Sequence, residues 1–288
     1  MPKTAIRLLG LLMGLSAAAP AVAAPAMWEV RDADSVIWLF GSFHVLPEGL
    51  EWRTPLFDQT FADADKIVFE ADVRPGAMAE LAAEAFARGI YTDGKLLSDF
   101  IDPAAEAKLR EVASGLELPV GSLLAMKPWF AANTISVSAM AAEGYKAEGV
   151  EFVLQPDLPA DRQTYLETGE QQLDILSGAP ETEQLAMLGA TLEELDAFPK
   201  MLGKMVSNWV EGTPDKLARL FLSEMGGFED AFLERLIYQR NRNWIAPLES
   251  ILEEDEEALV IVGAAHLIGD GSVLDLLEQA GYRIERIQ

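Results

Sequence analysis

The chain has 288 residues, and half of them are hydrophobic, which is typical of a globular protein with a full core. Its formal net charge of −25 opposes binding to phosphate backbones, so we expect no nucleic-acid partner. The sequence contains no cysteine, which excludes disulfides, a thiol nucleophile and thiolate metal ligands.

The N-terminus has the pattern of a secretory signal peptide. Lys3 and Arg7 precede an apolar run at 8–19, and the AVA segment at 21–23 supplies a small-residue cleavage site. The run is short for a membrane span, although an uncleaved N-terminal anchor is the alternative. We expect cleavage after Ala23, export to the periplasm and no stable membrane insertion afterwards. The mature chain then has 20 Lys and Arg against 47 Asp and Glu, a net charge of −27.

Six short segments with apolar or alternating patterns predict strands, in chain order 28–31, 36–40, 66–69, 163–166, 258–262 and 282–287. The first two predict a hairpin and the last an edge strand. Helices are predicted at 76–88, at 103–115, on both sides of Pro128 within 120–140, after the capping-box spacing at 168–171, at 181–252 with interruptions at Pro199, 213–214 and 226–227, and at 272–279. The apolar stretch at 120–140 is interpreted as core; a partner-binding surface is the alternative.

The distribution of these elements predicts the fold class. Strands at both ends of the chain indicate an α/β protein with a central, mostly parallel sheet built from the N- and C-terminal segments and flanked by helices. The middle of the chain predicts a large helical insertion, roughly at 96–150 and 181–235. We expect a single domain at 24–288.

Four predicted strands end in side chains that suit acid–base chemistry or metal binding, namely His44, Glu70, Glu167 and His266. The carboxyl ends of parallel strands gather along one sheet edge, where ligands bind, so we expect one site there. These two histidines are the only ones in the chain, and each follows a glycine by three positions, in GSFH and GAAH. Such a glycine tolerates unusual φ angles and lets backbone or ligand approach closely.

The residue types suggest the chemistry but leave structural roles open. Histidine exchanges protons near neutral pH and is also a common metal ligand. Partial burial of Glu70 would raise its pKa towards general acid–base use. Taken alone, a histidine at a strand end can be structural, Glu70 can be a helix cap or a surface acid, and Glu167 can serve only the helix that follows it.

Five segments in register resemble the TraB/GumN family, whose hallmark is a pair of G-x-x-H motifs. They are LFGSFHVLP (39–47), IVFEADV (67–73), YLETGEQQLDIL (165–176), RNRNW (240–244) and VIVGAAHLIGDGSVLDLLEQAGYRIERI (260–287). The resemblance covers essentially the whole mature chain, although the helical middle carries little that can be matched. The family includes the Tiki metalloprotease-like proteins and is akin to the erythromycin-esterase and ChaN-like clan.

The resemblance implies a metal-dependent hydrolase or peptidase with His44, Glu70 and His266 as metal ligands and Glu167 as candidate base. Because the chain lacks cysteine, Mn²⁺, Co²⁺ or Zn²⁺ is the expected ion. Arg240 and Asn241 match the RN element and are assigned a supporting role. Arg240 would stabilise an oxyanion or bind a substrate carboxylate; a helix-surface arginine paired with an acid is the alternative.

The expected reaction is hydrolysis of a peptide, amide or ester bond in a peptide or other small substrate. In a metal-free version, His44 acts directly as general base on water and Glu70 orients it. The alternative is a binding protein without turnover. TraB-like relatives are associated with shutting down peptide pheromone signals, and the GumN label with exopolysaccharide clusters, so a role in polysaccharide export or processing is a further possibility.

Overall fold

The computed structural model describes residues 24–32, 35–146, 149–225, 230–254 and 256–288, so the predicted signal peptide and the interruption at 226–227 lie outside the described residues. The strands are β1 (Met27–Arg31), β2 (Val36–Ser42), β3 (Leu46–Pro47), β4 (Lys66–Phe69), β5 (Tyr145–Lys146), β6 (Gln163–Tyr165), β7 (Ala258–Gly263) and β8 (Arg283–Arg286). The helices are α1 (Pro55–Asp63), α2 (Pro75–Gly89), α3 (Pro103–Gly115), α4 (Val120–Leu124), α5 (Pro128–Ala142), α6 (Val150–Leu154), α7 (Gly169–Ser177), α8 (Glu181–Glu194), α9 (Phe198–Val210), α10 (Pro214–Met225), α11 (Asp230–Leu233), α12 (Gln239–Glu253) and α13 (Val273–Gln279).

Six strands form one mixed sheet in the order β6-β4-β7-β2-β1-β8. The first four are parallel neighbours, whereas β1 pairs antiparallel with both β2 and β8. The predicted central sheet, its N-terminal hairpin and its C-terminal edge strand are confirmed. β3 and β5 form a separate antiparallel pair that the sequence did not predict.

The sheet is covered on both faces because its central strands are apolar on both sides. All six residues of β7 are buried. One face packs against Phe57 of α1 and Trp209 of α9, and the other against Trp244 of α12 and Leu277 of α13. Continuous apolar strands of this kind are typical of parallel sheets.

A third apolar cluster joins the helices of the chain's middle, with Leu109 of α3, Leu123 of α4, Ile135 of α5 and Leu188 of α8 among its buried residues. The apolar stretch at 120–140 therefore contributes to this core, and it is divided at Pro128, where α5 begins. This packing of helical segments against each other accords with a helical insertion.

The long helical stretch at 181–252 is interrupted just before Pro214, as predicted at 213–214, because α9 ends at Val210 and α10 begins at Pro214, but its first break is displaced from the predicted position. The break between α8 and α9 falls at 195–197, and Pro199 lies in the first turn of α9. Proline is tolerated there because a first-turn N–H has no partner within the helix. A π-helical turn, Glu234–Tyr238, leads from α11 into α12. Within the described residues, no helix has the length and apolar character needed to cross a membrane.

Candidate functional site

The four polar residues predicted at strand ends lie along one edge of the sheet. They follow the carboxyl ends of the four adjacent parallel strands, β2, β4, β6 and β7. Backbone pairing between β4 and β6 continues past the ends of both strands, since the amide of Glu167 donates to the carbonyl of Glu70 at 2.8 Å. Parallel register thus brings together segments that are far apart in sequence.

The glycines of the two G-x-x-H motifs provide space. Neither Gly41 nor Gly263 has a positive φ, so the tolerance of glycine for unusual φ angles is not used at either position. The predicted close approach is confirmed. A Cβ at Gly41 would lie 3.1 Å from the Cα of Ala264, and one at Gly263 would lie 3.2 Å from Glu70 Oε1 and 3.3 Å from His44 Nε2. The missing side chain of Gly263 therefore leaves a small space bordered by Glu70 and His44.

Arg240 of α12 lies at the centre of the buried part of the site. Its Nε donates to Glu167 at 3.0 Å, and Nη2 contacts Glu70 Oε2 at 2.6 Å and Glu167 Oε2 at 2.9 Å. Its Nη1 donates to the carbonyl of Leu236 at 3.1 Å and to His266 Nε2 at 3.0 Å. Hydrogen bonds from Nε, Nη1 and Nη2 thus hold Arg240 to the side chains of Glu167, His266 and Glu70, and its side chain also lines a cavity next to the site. The predicted contact of Arg240 with an oxyanion or substrate carboxylate stays a prediction.

The contacts of His266 define its tautomer. Arginine only donates, so Nε2 accepts the bond from Arg240 and the ring proton lies on Nδ1. That Nδ1–H donates to Asn241 Oδ1 at 2.6 Å, and Asn241 in turn donates to the carbonyl of Gly271 at 2.8 Å. Burial lowers the pKa of His266 to about 3. His266 is therefore a neutral imidazole at neutral pH, and its ring is oriented by Asn241.

Glu70 is a fixed carboxylate. Burial by itself raises its pKa, but attraction to His266, Arg240 and His44 outweighs burial and lowers the pKa to about 2. Since His266 is neutral above about pH 3, Arg240 and His44 keep Glu70 ionised near neutrality. Its Oε1 also accepts from the amide of Gly263 at 2.6 Å. The expectation of a raised pKa was wrong, because paired charges dominate over burial.

Glu167 is the partner of Arg240. Besides that ion pair, Trp244 Nε1 donates to its Oε1 at 3.0 Å and Gln172 Nε2 lies 3.3 Å from its Oε2. The capping box of α7 uses Thr168 instead. Glu167 lines neither of the two cavities next to the site. Both of its oxygens are engaged, which suits a structural role better than the predicted role of base.

Among the predicted site residues, His44 is the one whose side chain is largely exposed to solvent. Its side chain is 59% exposed, and Nδ1 lies 3.1 Å from Oε1 of Glu151, which is buried. The hydroxyl of Ser42 donates to the same carboxylate oxygen. Attraction to Glu151 raises the pKa of His44 to about 9, although water at the exposed ring screens part of that attraction. The buried carboxylate orients the ring and stabilises its protonated form.

Glu151 was missed in the sequence. It lies in α6, whose first residue, Val150, donates its amide to the carbonyl of Phe43 at 3.0 Å. This bond holds α6 beside the turn that carries His44. The signal available in the sequence was a single carboxylate within the apolar run at 150–154, because such a residue is buried only when it has a partner.

Gly149→Ala is expected to detach α6 from the G-x-x-H turn. A Cβ at Gly149 would lie 2.2 Å from the carbonyl oxygen of Phe43 and 2.2 Å from the carbonyl carbon of His44, and this backbone cannot yield without moving the turn. We expect a loss of about 1–3 kcal/mol in the free energy of unfolding, measured with denaturant.

The control for this variant is Gly189→Ala in α8, where a Cβ would have no neighbour within 4 Å. Replacing an unconstrained helical glycine by alanine is expected to stabilise by roughly 0.5–1 kcal/mol. The same sign of effect in both variants would contradict the proposed steric role of Gly149.

Two cavities flank the exposed ring of His44. One, of about 290 Å³, is also lined by Arg240, Gly263 and His266. The other, of about 180 Å³, is also lined by Glu70 and Glu151. His44 thus lies where a ligand in either cavity would contact it.

The three predicted metal ligands do not, as arranged, suit a divalent cation. His266 Nε2 and Glu70 Oε2 both accept from Arg240, so a cation between them would meet the guanidinium charge. Across the described ranges, no group of three or more His, Cys, Asp or Glu side chains is placed to hold a metal ion. His44 Nε2 and Glu70 Oε1 border the space at Gly263, and His266 Nε2 lies 3.8 Å from Glu70 Oε1. The metal stays a prediction.

Fold and site together define a helix-flanked α/β protein with paired G-x-x-H histidines and a buried Glu–Arg–Glu group at the carboxyl edge of its sheet. The sequence profile of the TraB/PrgY/gumN family matches residues 26–286. The chain belongs to this family, as its motifs indicated. No curated protein and no solved structure matches the chain significantly.

Proposed function

We propose that this protein is a hydrolase in which His44 activates water to attack an ester or amide carbonyl, including a peptide bond. One observation carries the proposal: an exposed imidazole whose Nδ1 is held by the buried carboxylate of Glu151, leaving Nε2 beside the space at Gly263. A base oriented by a carboxylate through its other ring nitrogen is a recurring arrangement in hydrolases.

The proposed reaction has two proton transfers, and His44 carries out both. His44 Nε2 takes a proton from water as the water oxygen attacks the carbonyl carbon, and Glu151 stabilises the imidazolium that forms. The imidazolium then gives the proton to the leaving oxygen or nitrogen as its bond to carbon breaks. Glu70, Arg240 and His266 exchange no proton, because their hydrogen bonds hold them in one charge state. They shape the sheet edge.

Glu151→Gln is expected to move the pH dependence of kcat/KM. The neutral form of His44 is the base, so activity is low when the ring is protonated and rises with pH up to its pKa of about 9. Removing the carboxylate charge lowers that pKa towards 6.5, so the rise shifts to lower pH and the high-pH plateau falls because the base is weaker. Glu70, which raises this pKa, and Arg240, which lowers it, are unchanged in the variant.

Two measurements check this prediction. The pH profile of kcat/KM gives the functional pKa, and NMR titration of the His44 ring gives the pKa directly. Identical profiles for the wild type and Glu151→Gln would contradict the role of Glu151. A profile that falls with rising pH would instead indicate that His44 acts as an acid.

The function itself is tested by a substrate screen. The purified wild type and a His44→Asn variant are incubated with activated esters and with fluorogenic amide and peptide libraries. Turnover by the wild type that is lost in the variant supports the proposal. No turnover on any class would overturn it.

The metal-dependent version of the hydrolase is tested separately. It gains support from the shared space at Gly263, which is bordered by His44 Nε2 and Glu70 Oε1. Elemental analysis of protein purified without chelator, beside a His44→Ala/His266→Ala variant, measures bound Mn, Co or Zn. One equivalent in the wild type that is lost in the variant supports a metal site; no metal after reconstitution contradicts it.

A binding protein without turnover is the second candidate. The supporting observation is that Arg240 hydrogen-bonds groups of the protein itself, as expected of a scaffold that holds a pocket rather than a set of reacting groups. A binder with bound peptide or saccharide would keep its affinity in His44→Asn and show no chemistry in the wild type.

We also propose that the protein is exported and that its segment at 1–23 is removed. The support is the basic, apolar and small-residue pattern of that segment. N-terminal sequencing of protein from the periplasmic fraction should then begin at Ala24. Retention of the first residues on membrane-bound protein would indicate an anchor.

A further inference from the structure

A further, apolar cavity adjoins the site. It has a volume of about 340 Å³ and is lined mainly by residues of α5, α8 and α9, with Leu236 of the π-helical turn before α12. Three side chains, Met205, Phe221 and Leu236, line both this cavity and the cleft that contains His44 and His266. The two spaces therefore lie side by side and share these side chains as a common wall.

The lining of this cavity is suited to hydrocarbon. Its apolar residues include Met187, Leu195, Phe198, Met201, Leu202 and Phe232. Among the described residues, Glu194 is the single charged residue that lines it, and Glu194 is exposed. Methionine side chains adapt to irregular apolar ligands, and Met205 lies at the junction with the cleft.

The polar and apolar spaces together indicate a substrate with two parts. The cleft presents the imidazole that is proposed to activate water for attack on a carbonyl, whereas the described lining of the adjoining cavity has Glu194 as its single charged residue. An apolar chain attached to that carbonyl can lie in the cavity while the carbonyl stays at His44.

We propose that the apolar cavity binds the aliphatic chain of an acyl ester or acyl amide whose carbonyl is presented to His44. This inference rests on the proposed hydrolase function and assigns its substrate class. The combined volume of cleft and cavity lies within the range of about 300–1,000 Å³ that is typical of small-molecule sites.

Chain length is the first variable of the test. The Kd of the saturated carboxylates butanoate, hexanoate, octanoate and decanoate is measured by calorimetry with the wild type, because these products of the proposed reaction have no ester or amide bond to cleave. Each added CH₂ should strengthen binding by up to about fourfold, which is the conversion of ~0.8 kcal/mol per buried CH₂. The kcat/KM of the wild type for p-nitrophenyl esters of the same acids should follow the same trend.

Matched variants locate the bound chain. Ala190 of α8 lines the cavity, whereas Ala186, one turn earlier, is exposed and lines neither space. Ala190→Trp should fill the cavity and weaken decanoate binding at least tenfold while leaving butanoate unchanged. Ala186→Trp should leave both unchanged. If Ala190→Trp fails to fold, Met201→Glu, which places a carboxylate in the cavity, should give the same selective loss.

Three results would overturn this inference. They are Kd values independent of chain length, equal effects of Ala190→Trp and Ala186→Trp, and a cavity closed by self-association, seen in sedimentation as a dimer abolished by Ala190→Trp. Hydrolysis of short esters without chain-length dependence would remove the acyl-chain site but keep the hydrolase. Decanoate binding without turnover of any ester or amide would keep the acyl-chain site but remove the hydrolase.

Discussion

His44→Asn is expected to lower kcat/KM for ester hydrolysis by about 10²–10⁴-fold, the usual contribution of a positioned general base. The exposed imidazole is the group proposed to move the proton, and the asparagine amide cannot do so. The variant should remain folded, because an amide at this position still offers a donor to the buried oxygen of Glu151. The measurement is kcat/KM with p-nitrophenyl butyrate, together with the melting temperature.

The matched comparison is Glu151→Gln, which keeps the imidazole and removes its charged partner. This variant should retain more activity than His44→Asn at every pH, because a weaker base still transfers protons. Full turnover in His44→Asn would contradict the proposed mechanism. A lowered melting temperature of this variant would show that its loss of activity reflects unfolding.

Arg240→Met is expected to cost about 3–5 kcal/mol in the free energy of unfolding. Arg240 is buried between two buried carboxylates, those of Glu70 and Glu167, and methionine would leave both without their cation. His266 Nε2 would also lose its donor. Chemical denaturation with urea measures the loss of stability. This loss comes mainly from leaving two carboxylates without a cation rather than from lost packing.

Two controls isolate that cause. Arg242→Met lies two residues along the same helix, where Arg242 pairs with Glu234 at the surface, and it should cost less than about 1 kcal/mol. A triple variant that adds Glu70→Gln and Glu167→Gln to Arg240→Met should recover much of the loss. Equal costs for Arg240→Met and Arg242→Met would contradict the buried network.

The comparison of Arg240 with Arg242 also shows how far the sequence informs on the site. The RNRNW segment could be matched to the family, but its letters do not distinguish a central arginine from a surface one. Helical geometry places Arg240, Asn241 and Trp244 towards the site, whereas Arg242 is exposed. Neighbouring arginines therefore receive opposite roles from the face of α12 on which they lie.

Protonation states were the least accessible property. Glu70 was expected to have a raised pKa because it follows an apolar strand, and that inference considered burial alone. Its pKa is lowered because Arg240 and His44 approach from other segments. The sign of the shift depends on which charges meet in space, which local sequence does not contain.

The six strands of the central sheet, its mostly parallel order and the four residues at its carboxyl edge could be predicted from the sequence, whereas the β3/β5 pair could not. These features follow from local apolar patterning and from the rule that the carboxyl ends of parallel strands lie along one sheet edge. Both the pattern and the strand ends can be read directly from the order of the residues. The family likewise follows from motifs in order.

Which of these residues is exposed, and which are held by hydrogen bonds, follows only from the packing of the folded chain. Glu151 and His44 are more than one hundred residues apart and meet because α6 packs on the turn after β2. Arg240 donates hydrogen bonds to Glu70, Glu167 and His266 and so holds them in place, whereas His44 faces the cleft. Such roles depend on distances and burial, which arise only when segments remote in sequence pack together.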